Sequence, residues 1–322
     1  MRRNDFLLRL GLLTILCLCI FILVPSFGKL TNLINILRQG ALLNILAIGM
    51  TIVILTGGID LSNGSVLALS SCVAAIAMKN GAPIMVGIFV SLAIGIACGI
   101  ANGMMVAYIR IPPFIATFAM MYFARGLAYV VLHGRIIYGF EKSFRFMGAG
   151  DIVGVPIPII ISILLLLIFQ VILAHTSFGV NIYAIGSNKE SSRLLGVNVK
   201  KVTVMAYLLS GILSALAGII YTARLDTAEP VVGASFPLDT IGAVIIGGTS
   251  ILGGEGNLFG SVVGVFILTI IINGMNMIGI SSLWQEFIIG GVILVIITIQ
   301  IYIKGVKFLM PAINKKMVEN KY

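Results

Sequence analysis

The sequence Thr56-Gly-Gly-Ile-Asp-Leu-Ser-Asn-Gly-Ser65 interrupts an apolar run that begins near Ala41 and resumes at Val66. These ten residues, the first break, include one carboxylate, three hydroxyls and one amide. Lipid offers no hydrogen bonds to such groups, so irregular polar backbone survives in a membrane only where protein or a water-filled cavity surrounds it. The stretch therefore predicts an interrupted helix inside a larger membrane protein.

The composition of the whole chain agrees with this reading. Of 322 residues, 59% are hydrophobic and 10% are charged, and the mean hydropathy is +1.15, whereas a soluble domain is about a quarter charged. The apolar runs are long and do not alternate, which favours helices over barrel strands. We predict an all-α polytopic membrane protein with about ten transmembrane helices, at about 6–24, 41–55, 66–78, 84–108, 114–132, 156–174, 202–223, 238–246, 258–278 and 283–303. Between the helices we predict a short amphipathic link at 29–39 and polar outer loops at 133–154 and 224–237. The small residues Gly95, Gly99 and Gly103, and likewise Gly260 and Gly264, predict close helix packing.

Sequence features of the first half of the chain recur in the second half. A second break, Gly247–Gly256, again follows an apolar run with a Gly-Gly pair, and Asn102-Gly-Met104 recurs as Asn273-Gly-Met275. Inverted repeats with interrupted helices are typical of transporters, although chance similarity is the alternative because Gly and Ile are abundant. We predict two inverted five-helix repeats, about 41–174 and 203–303, joined by a cytoplasmic coupling loop, 175–202, and followed by a basic cytoplasmic tail, 304–322.

The basic residues indicate an orientation. With ten spans, thirteen Lys and Arg residues fall on the side of both termini, seven fall on the other side, and Arg125 lies inside a span. Positive charge concentrates on the cytoplasmic side of membrane proteins, so both termini are predicted to be cytoplasmic in a bacterial inner membrane. The net charge of +10 then reflects topology and is no sign of nucleic-acid binding.

Polar side chains inside the apolar spans are candidates for a solute path. Asp60 either shapes the path or caps the helix after the first break, and the amides in the spans either contact a polyhydroxy solute or tie helices together. Arg125 either extends its head towards the membrane surface or pairs with an acid. Asp239 and Glu286 are read as acids in the first turns of helices. The predicted path comprises Asp60, Ser62, Asn63, Asn102, Phe114, Thr117, Asn273 and Asn276.

A polar island, Gly179–Lys201, separates the two halves. Ser187 or Asn188 can cap a short helix there, which would end at Gly196 and expose an apolar contact beside charged side chains. Such a helix suits a groove on another protein, and a loop that only sets topology is the alternative. The residues predicted for this contact are Gly186, Asn188, Glu190, Arg193, Leu194 and Gly196.

Signals for an enzyme are absent from the sequence. It holds no GxxxxGK[ST], HExxH or GxSxG motif, and its cysteines, all in apolar runs, show no metal or disulfide spacing. We expect no catalysis, no cofactor and no metal.

Short motifs occur along nearly the whole chain: Ala47–Ser62 with Gly64-Ser65, Ile111–Thr117, Arg125-Gly126, Phe178-Gly179, Tyr183–Gly186 with Asn188, Gly196–Asn198, and Gly247–Thr249 with Gly253-Gly254. In this order they resemble the motifs of the permease subunits of bacterial ATP-binding-cassette importers for monosaccharides, of the ribose and galactofuranose type. The chain departs from many relatives at Asn63 and Pro113, which could alter the path near the first break.

The resemblance implies the partners. The helix in the island, roughly Gly186–Asn198, would dock on cytoplasmic ATPase subunits, which bind the ATP. A sugar-binding protein would dock on the outer face, and a second permease, identical or related, would complete a dimer. An ion-coupled secondary transporter acting alone is the alternative function, and its requirement for a charged group near the midplane points to Asp60.

Overall fold

The protein is almost entirely helical in the computed structural model, which describes residues 9, 11, 13–15, 17, 18, 20–22, 24–295 and 298. A 3₁₀ turn, Pro25–Gly28, precedes the first complete helix, and a π-helical segment, Met105–Ile109, extends the third. The helices are α1 (Leu30–Leu55), α2 (Asn63–Lys79), α3 (Ile84–Met104), α4 (Pro113–Leu132), α5 (Lys142–Ala149), α6 (Ile157–His175), α7 (Ser177–Ser187), α8 (Lys189–Leu194), α9 (Val199–Leu225), α10 (Phe236–Ile246), α11 (Leu258–Ile278) and α12 (Ser282–Val295).

Six of these helices are long and apolar enough to cross a membrane: α1, α3 with its extension, α4, α6, α9 and α11. Helices α2, α10 and α12 are apolar but shorter, and the described residues between 13 and 22 belong to another apolar helix. The all-α prediction is confirmed. Predicted spans 1 and 10 are described only in part, and the basic tail, 304–322, lies outside the described residues.

Helix α1 starts earlier than the sequence suggested. Residues 29–39 were expected to form a separate amphipathic link, but one 26-residue helix runs without interruption from Leu30 to Leu55. No proline stands in this range to remove a backbone donor, and Gly40 alone weakens a helix by only about 1 kcal/mol. From Gly40 onward α1 is buried at every position, so it lies at the centre of the bundle.

Helix α9 packs against this central helix and against α3. The small residues Gly95, Gly99 and Gly103 of α3 meet the α9 backbone so closely that a methyl group on Gly99 would lie 2.6 Å from the Tyr207 carbonyl oxygen. One on Gly103 would lie 2.6 Å from the Val204 Cα. This confirms the predicted small-residue strip, which lets two membrane helices approach each other closely.

Two opposite faces are defined by the connections between the long helices. The hairpin face carries α5 and two short antiparallel pairs, β1 (Ile137–Tyr138) with β4 (Thr227–Ala228) and β2 (Asp151–Ile152) with β3 (Val155–Pro156). The other, the α8 face, carries α7 and α8. Helix α6 joins the two faces, and its 19 residues span about 28 Å. The expected polar loop at 133–154 is thus partly folded.

The segment after β4 folds back into the bundle. Residues 224–237 were expected to form a loop outside the membrane, but Arg125, near the middle of α4, donates hydrogen bonds to the carbonyl oxygens of Pro230 and Val232. Gly233 lies against Gly64 at the start of α2. Arg125 is thus paired with backbone carbonyl oxygens, and no acid among the described residues forms an ion pair with it.

The α3–α9 strip yields a first prediction. We expect Gly99→Ala to destabilise the protein by about 1–3 kcal/mol, because the added methyl overpacks a backbone contact. Thermal unfolding in detergent, followed by loss of monodisperse protein, measures the effect.

Gly126→Ala in α4 is the matched control, since its methyl would meet nothing within 4 Å. It should be neutral, or stabilising by about 1 kcal/mol through helix propensity. Equal destabilisation by both changes would contradict the packing argument.

Candidate translocation and coupling site

Asp60 is the most unusual group of the first break. Its side chain is 2% exposed and accepts three hydrogen bonds, from the Ser62 amide (2.9 Å), the Ser62 hydroxyl (2.6 Å) and the Ser210 hydroxyl of α9 (2.7 Å). Burying a carboxylate is costly unless such donors replace the lost water. The acid therefore fixes the turn before α2 and holds it against α9.

Three more of the predicted path residues lie beside Asp60. Asn102 of α3 donates to the Ser62 hydroxyl (2.8 Å), Asn63 donates to the Thr240 hydroxyl of α10 (3.0 Å), and Thr117 of α4 donates to the Ile59 carbonyl (3.3 Å). All three side chains are buried. Together with Asp60 and Ser62, they form a network that joins the first break to four helices.

The remaining predicted path residues lie elsewhere. Phe114 is exposed on α4, where its ring stacks on Phe118. Asn273 of α11 exchanges two amide hydrogen bonds with Asn32 of α1 (2.9 and 3.1 Å), and Asn276 accepts one from Gln285 of α12 (2.8 Å). The amides of Asn273 and Asn276 therefore tie helices together, which was the alternative left open by the sequence.

Three residues of the network were not anticipated: Ser210, Thr240 and Tyr207, whose hydroxyl donates to the Ile59 carbonyl (3.2 Å). The only hint in the sequence was the presence of hydroxyls inside apolar spans. Their partners are up to 177 residues away, so local patterns could not reveal the pairing.

The polar island folds into a chain of separately capped helices. The Asn188 side chain accepts the Ser191 amide at the start of α8 (2.9 Å), and the helix ends before Gly196, whose φ is 84°. Thr176 caps α7 and Asn198 caps α9 in the same way. The predicted short helix and its cap are confirmed.

Helix α8 presents both apolar and charged groups to its surroundings. Leu194 is 82% exposed and Leu195 is 84% exposed. Beside them, Arg193 and Glu190 form an exposed ion pair at 3.2 Å. Large apolar side chains that are exposed beside an ion pair are typical of a surface that another protein covers.

Gly186 connects the island to the end of α1 and to the second break. Its Cα lies against the Leu55 carbonyl and the Gly254 backbone, and the Gly254 amide donates to the same Leu55 carbonyl (3.0 Å). A side chain at position 186 would separate these three backbone segments. A displacement of α7 and α8 would therefore act directly on the end of α1 and on the second break.

The second break is also held at its other edge. The Arg9 guanidinium donates to the Gly247 carbonyl at the end of α10 (2.6 Å). Asn257 caps α11 by accepting the Gly260 amide (2.6 Å). Gly260 and Gly264 of α11 pack on the carbonyls of Gly247 and Ala243, as the predicted small-residue pair requires.

These features define a class of protein. It is a polytopic membrane protein whose two breaks lie within the helix bundle, and the helices of its polar island contact the end of α1 and the second break. The chain belongs to the family described as branched-chain amino acid transport system / permease component, whose model matches residues 32–297.

Curated relatives narrow the comparison. The chain is 43% identical over 285 residues to the ribose import permease protein RbsC of Bacillus subtilis (strain 168), covering 88% of each chain. It is 41% identical over 291 residues to RbsC of Escherichia coli (strain K12), covering 89% of this chain and 91% of the relative. The D-allose transport system permease protein AlsC of Escherichia coli (strain K12) is 35% identical over 282 residues, at 85% and 86% coverage. No solved structure shows significant similarity to the chain.

The Asp60 network yields a second prediction. Ser210→Ala removes a hydrogen bond to a buried carboxylate and should cost about 1.5–3 kcal/mol of stability, as such bonds to charged groups do. Thermal unfolding of the purified protein in detergent is the measurement.

Ser214→Ala is the matched control, one turn further along α9. The Ser214 hydroxyl is equally buried but donates only to the Ser210 backbone carbonyl (2.8 Å), so its loss should cost about 1 kcal/mol or less. If the two variants unfold at the same temperature, the stability of the buried Asp60 carboxylate does not depend on the Ser210 hydroxyl.

Proposed function

We propose that this chain is the transmembrane permease subunit of an ATP-driven importer of a monosaccharide, a pentose or a hexose. The high identity to ribose import permeases over nearly the whole chain carries the proposal. The description of the family model mentions amino acids, but the most similar relatives named above act on ribose and allose. A sugar is therefore the better-supported substrate class.

The proposed architecture is ten transmembrane helices, of which the first, at about 6–24, precedes two inverted repeats at about 41–174 and 203–303. The half-length helices α2 and α10 support it, because their N-terminal halves meet where Asn63 donates to Thr240, and the two helices run to opposite faces. Lys79, at the end of α2, donates to Gly139 on the hairpin face (2.6 Å). The second break, which follows α10, packs on Gly186 and Ser187 near the α8 face.

We assign the α8 face to the cytoplasm, together with both termini. The excess of Lys and Arg predicted on that side supports this orientation. Cytoplasmic ATPase subunits would bind the ATP and dock on α8 through Leu194 and Leu195, with the coupling residues Gly186, Asn188, Glu190, Arg193 and Gly196 shaping and positioning the helix. The contact of Gly186 with the end of α1 and with the second break would pass ATPase closure to the pore.

The hairpin face would then receive an extracytoplasmic sugar-binding protein, and a second permease, identical or related, would complete the pore.

The ion-coupled alternative receives less support from the geometry. Its candidate group, Asp60, already accepts three protein hydrogen bonds, and the named relatives include import permeases that share most of their length with this chain.

Uptake of radiolabelled sugars tests the proposed function. The full chain is expressed with its ATPase and binding protein in a bacterial strain that lacks ribose import. We expect uptake of D-ribose or another tested pentose or hexose to require all three proteins and to stop with an ATPase variant that cannot hydrolyse ATP. Uptake by this chain alone that a protonophore abolishes would establish the ion-coupled alternative instead.

The docking role of α8 makes a separate prediction. Leu194→Asp with Leu195→Asp should abolish co-purification of the ATPase and sugar uptake, because it places charges in an apolar contact. The protein should still insert and fold, since both side chains lie on the surface.

Val153→Asp is the control, because Val153 is 98% exposed but lies on the hairpin face. It should leave ATPase co-purification unchanged. Normal co-purification of the ATPase with the α8 double variant would contradict docking through these leucines.

A further inference from the structure

A cavity of about 730 Å³ lies between α10, α11 and α12, apart from the Asp60 network. Its wall extends along α12 from Ser282 to Leu294, a distance of about 18 Å for a helix, and also includes Thr298. None of the eight predicted path residues lines it. Small-molecule sites typically have volumes of about 300–1,000 Å³ and mostly apolar walls with a few polar groups.

The polar groups in this cavity are concentrated near the start of α10. Ser235 and Asp239 come from that helix, and Gln285 and Glu286 come from α12. Asp239 is 8% exposed although its residue forms part of the wall. Among the described residues of the lining there is no Lys or Arg, so neither carboxylate meets a cation there.

Two carboxylates make lipid an unfavourable content for this cavity. A carboxylate facing hydrocarbon costs at least about 2.5 kcal/mol on insertion scales, and polar side chains within spans normally face a water-filled cavity or the bundle interior. Glu286 and Asp239 therefore indicate that water or a polar solute fills the space. The Gln285 amide, which donates to Asn276 and to the Ile280 carbonyl (2.8 Å each), fixes the wall on the α11 side.

We propose that this cavity is the chamber that holds the sugar during transport, with Asp239 and Glu286 accepting hydrogen bonds from its hydroxyl groups. The proposal rests on the proposed function and deepens it, because it moves the solute contacts from the Asp60 network to α10 and α12. A neutral polyol can donate several hydrogen bonds to two acids without needing a counter-charge. The chamber is larger than one monosaccharide, so the solute is held loosely and can leave.

Gly290 and Gly291 offer a matched test of this chamber. Both lie on α12 and neither would meet an atom within 4 Å if it carried a Cβ, but only Gly290 lines the cavity. In the complete importer we expect Gly290→Phe to lower the initial rate of D-ribose uptake at least about tenfold by filling the chamber. Gly291→Phe should stay within about twofold of wild type.

The carboxylates are tested by substitutions that keep their size. Asp239→Asn and Glu286→Gln should each lower D-ribose uptake about tenfold, because a neutral amide oxygen replaces the charged acceptor of a strong hydrogen bond. Membrane level and ATPase co-purification should remain normal in every variant, because these readouts do not involve the chamber.

Thiol labelling tests the chamber independently of transport. In a chain whose native cysteines are replaced by serine, Ile293→Cys on the cavity wall should react with a charged, water-soluble thiol reagent. Phe123→Cys, on the exposed surface of α4 away from the cavity, should not react.

An unlabelled Ile293→Cys would overturn the proposal, and so would wild-type uptake by Gly290→Phe or by both carboxylate variants. These results differ from a failure of the proposed function, in which the wild-type importer itself would take up none of the tested sugars.

Discussion

The structure depends on accommodating one carboxylate in a place without bulk water. Asp60 lies where the central helix α1 ends, and it is stabilised because Ser62 and Ser210 direct three hydrogen-bond donors at it. Removing those donors would leave a buried, unsatisfied charge, which is among the most destabilising changes known in proteins. The requirement forces the first break into the middle of the bundle. It also links the break to α9, the long helix of the second half.

Close backbone contacts at glycines hold the bundle together in addition to the Asp60 network. Along α3 and α9 the absence of side chains lets two helices touch over several turns, and at Gly186 it lets three chain segments meet at one point. Packed interfaces of this kind resist small continuous deformations and change between discrete arrangements. An importer needs such behaviour, because its pore must be open to one side of the membrane at a time.

Local chemistry explains which features could be predicted. Some features depend only on residues that are close together in the sequence, and the structure agrees with each prediction of this kind. They are the polar residues of the first break, the Asn188 cap and the Gly95–Gly103 strip. The return of residues 230–233 to Arg125 and the pairing of β1 with β4 depend on partners about 90 to 107 residues away. The cavity forms only where three helices pack together. The sequence therefore could not reveal it, and Asp239 and Glu286 were interpreted as ordinary acids in the first turns of helices.

Separate capping of α7, α8 and α9 has an evolutionary consequence. Each helix starts at its own side-chain cap, which is Thr176, Asn188 or Asn198. The turns that connect these helices therefore do not depend on the exposed residues of α8. If α8 docks on the ATPase as proposed, its exterior can diverge to suit a different ATPase while the three caps stay intact. Leu194 and Leu195 should then vary among permeases that use different ATPases, whereas Gly186 should not.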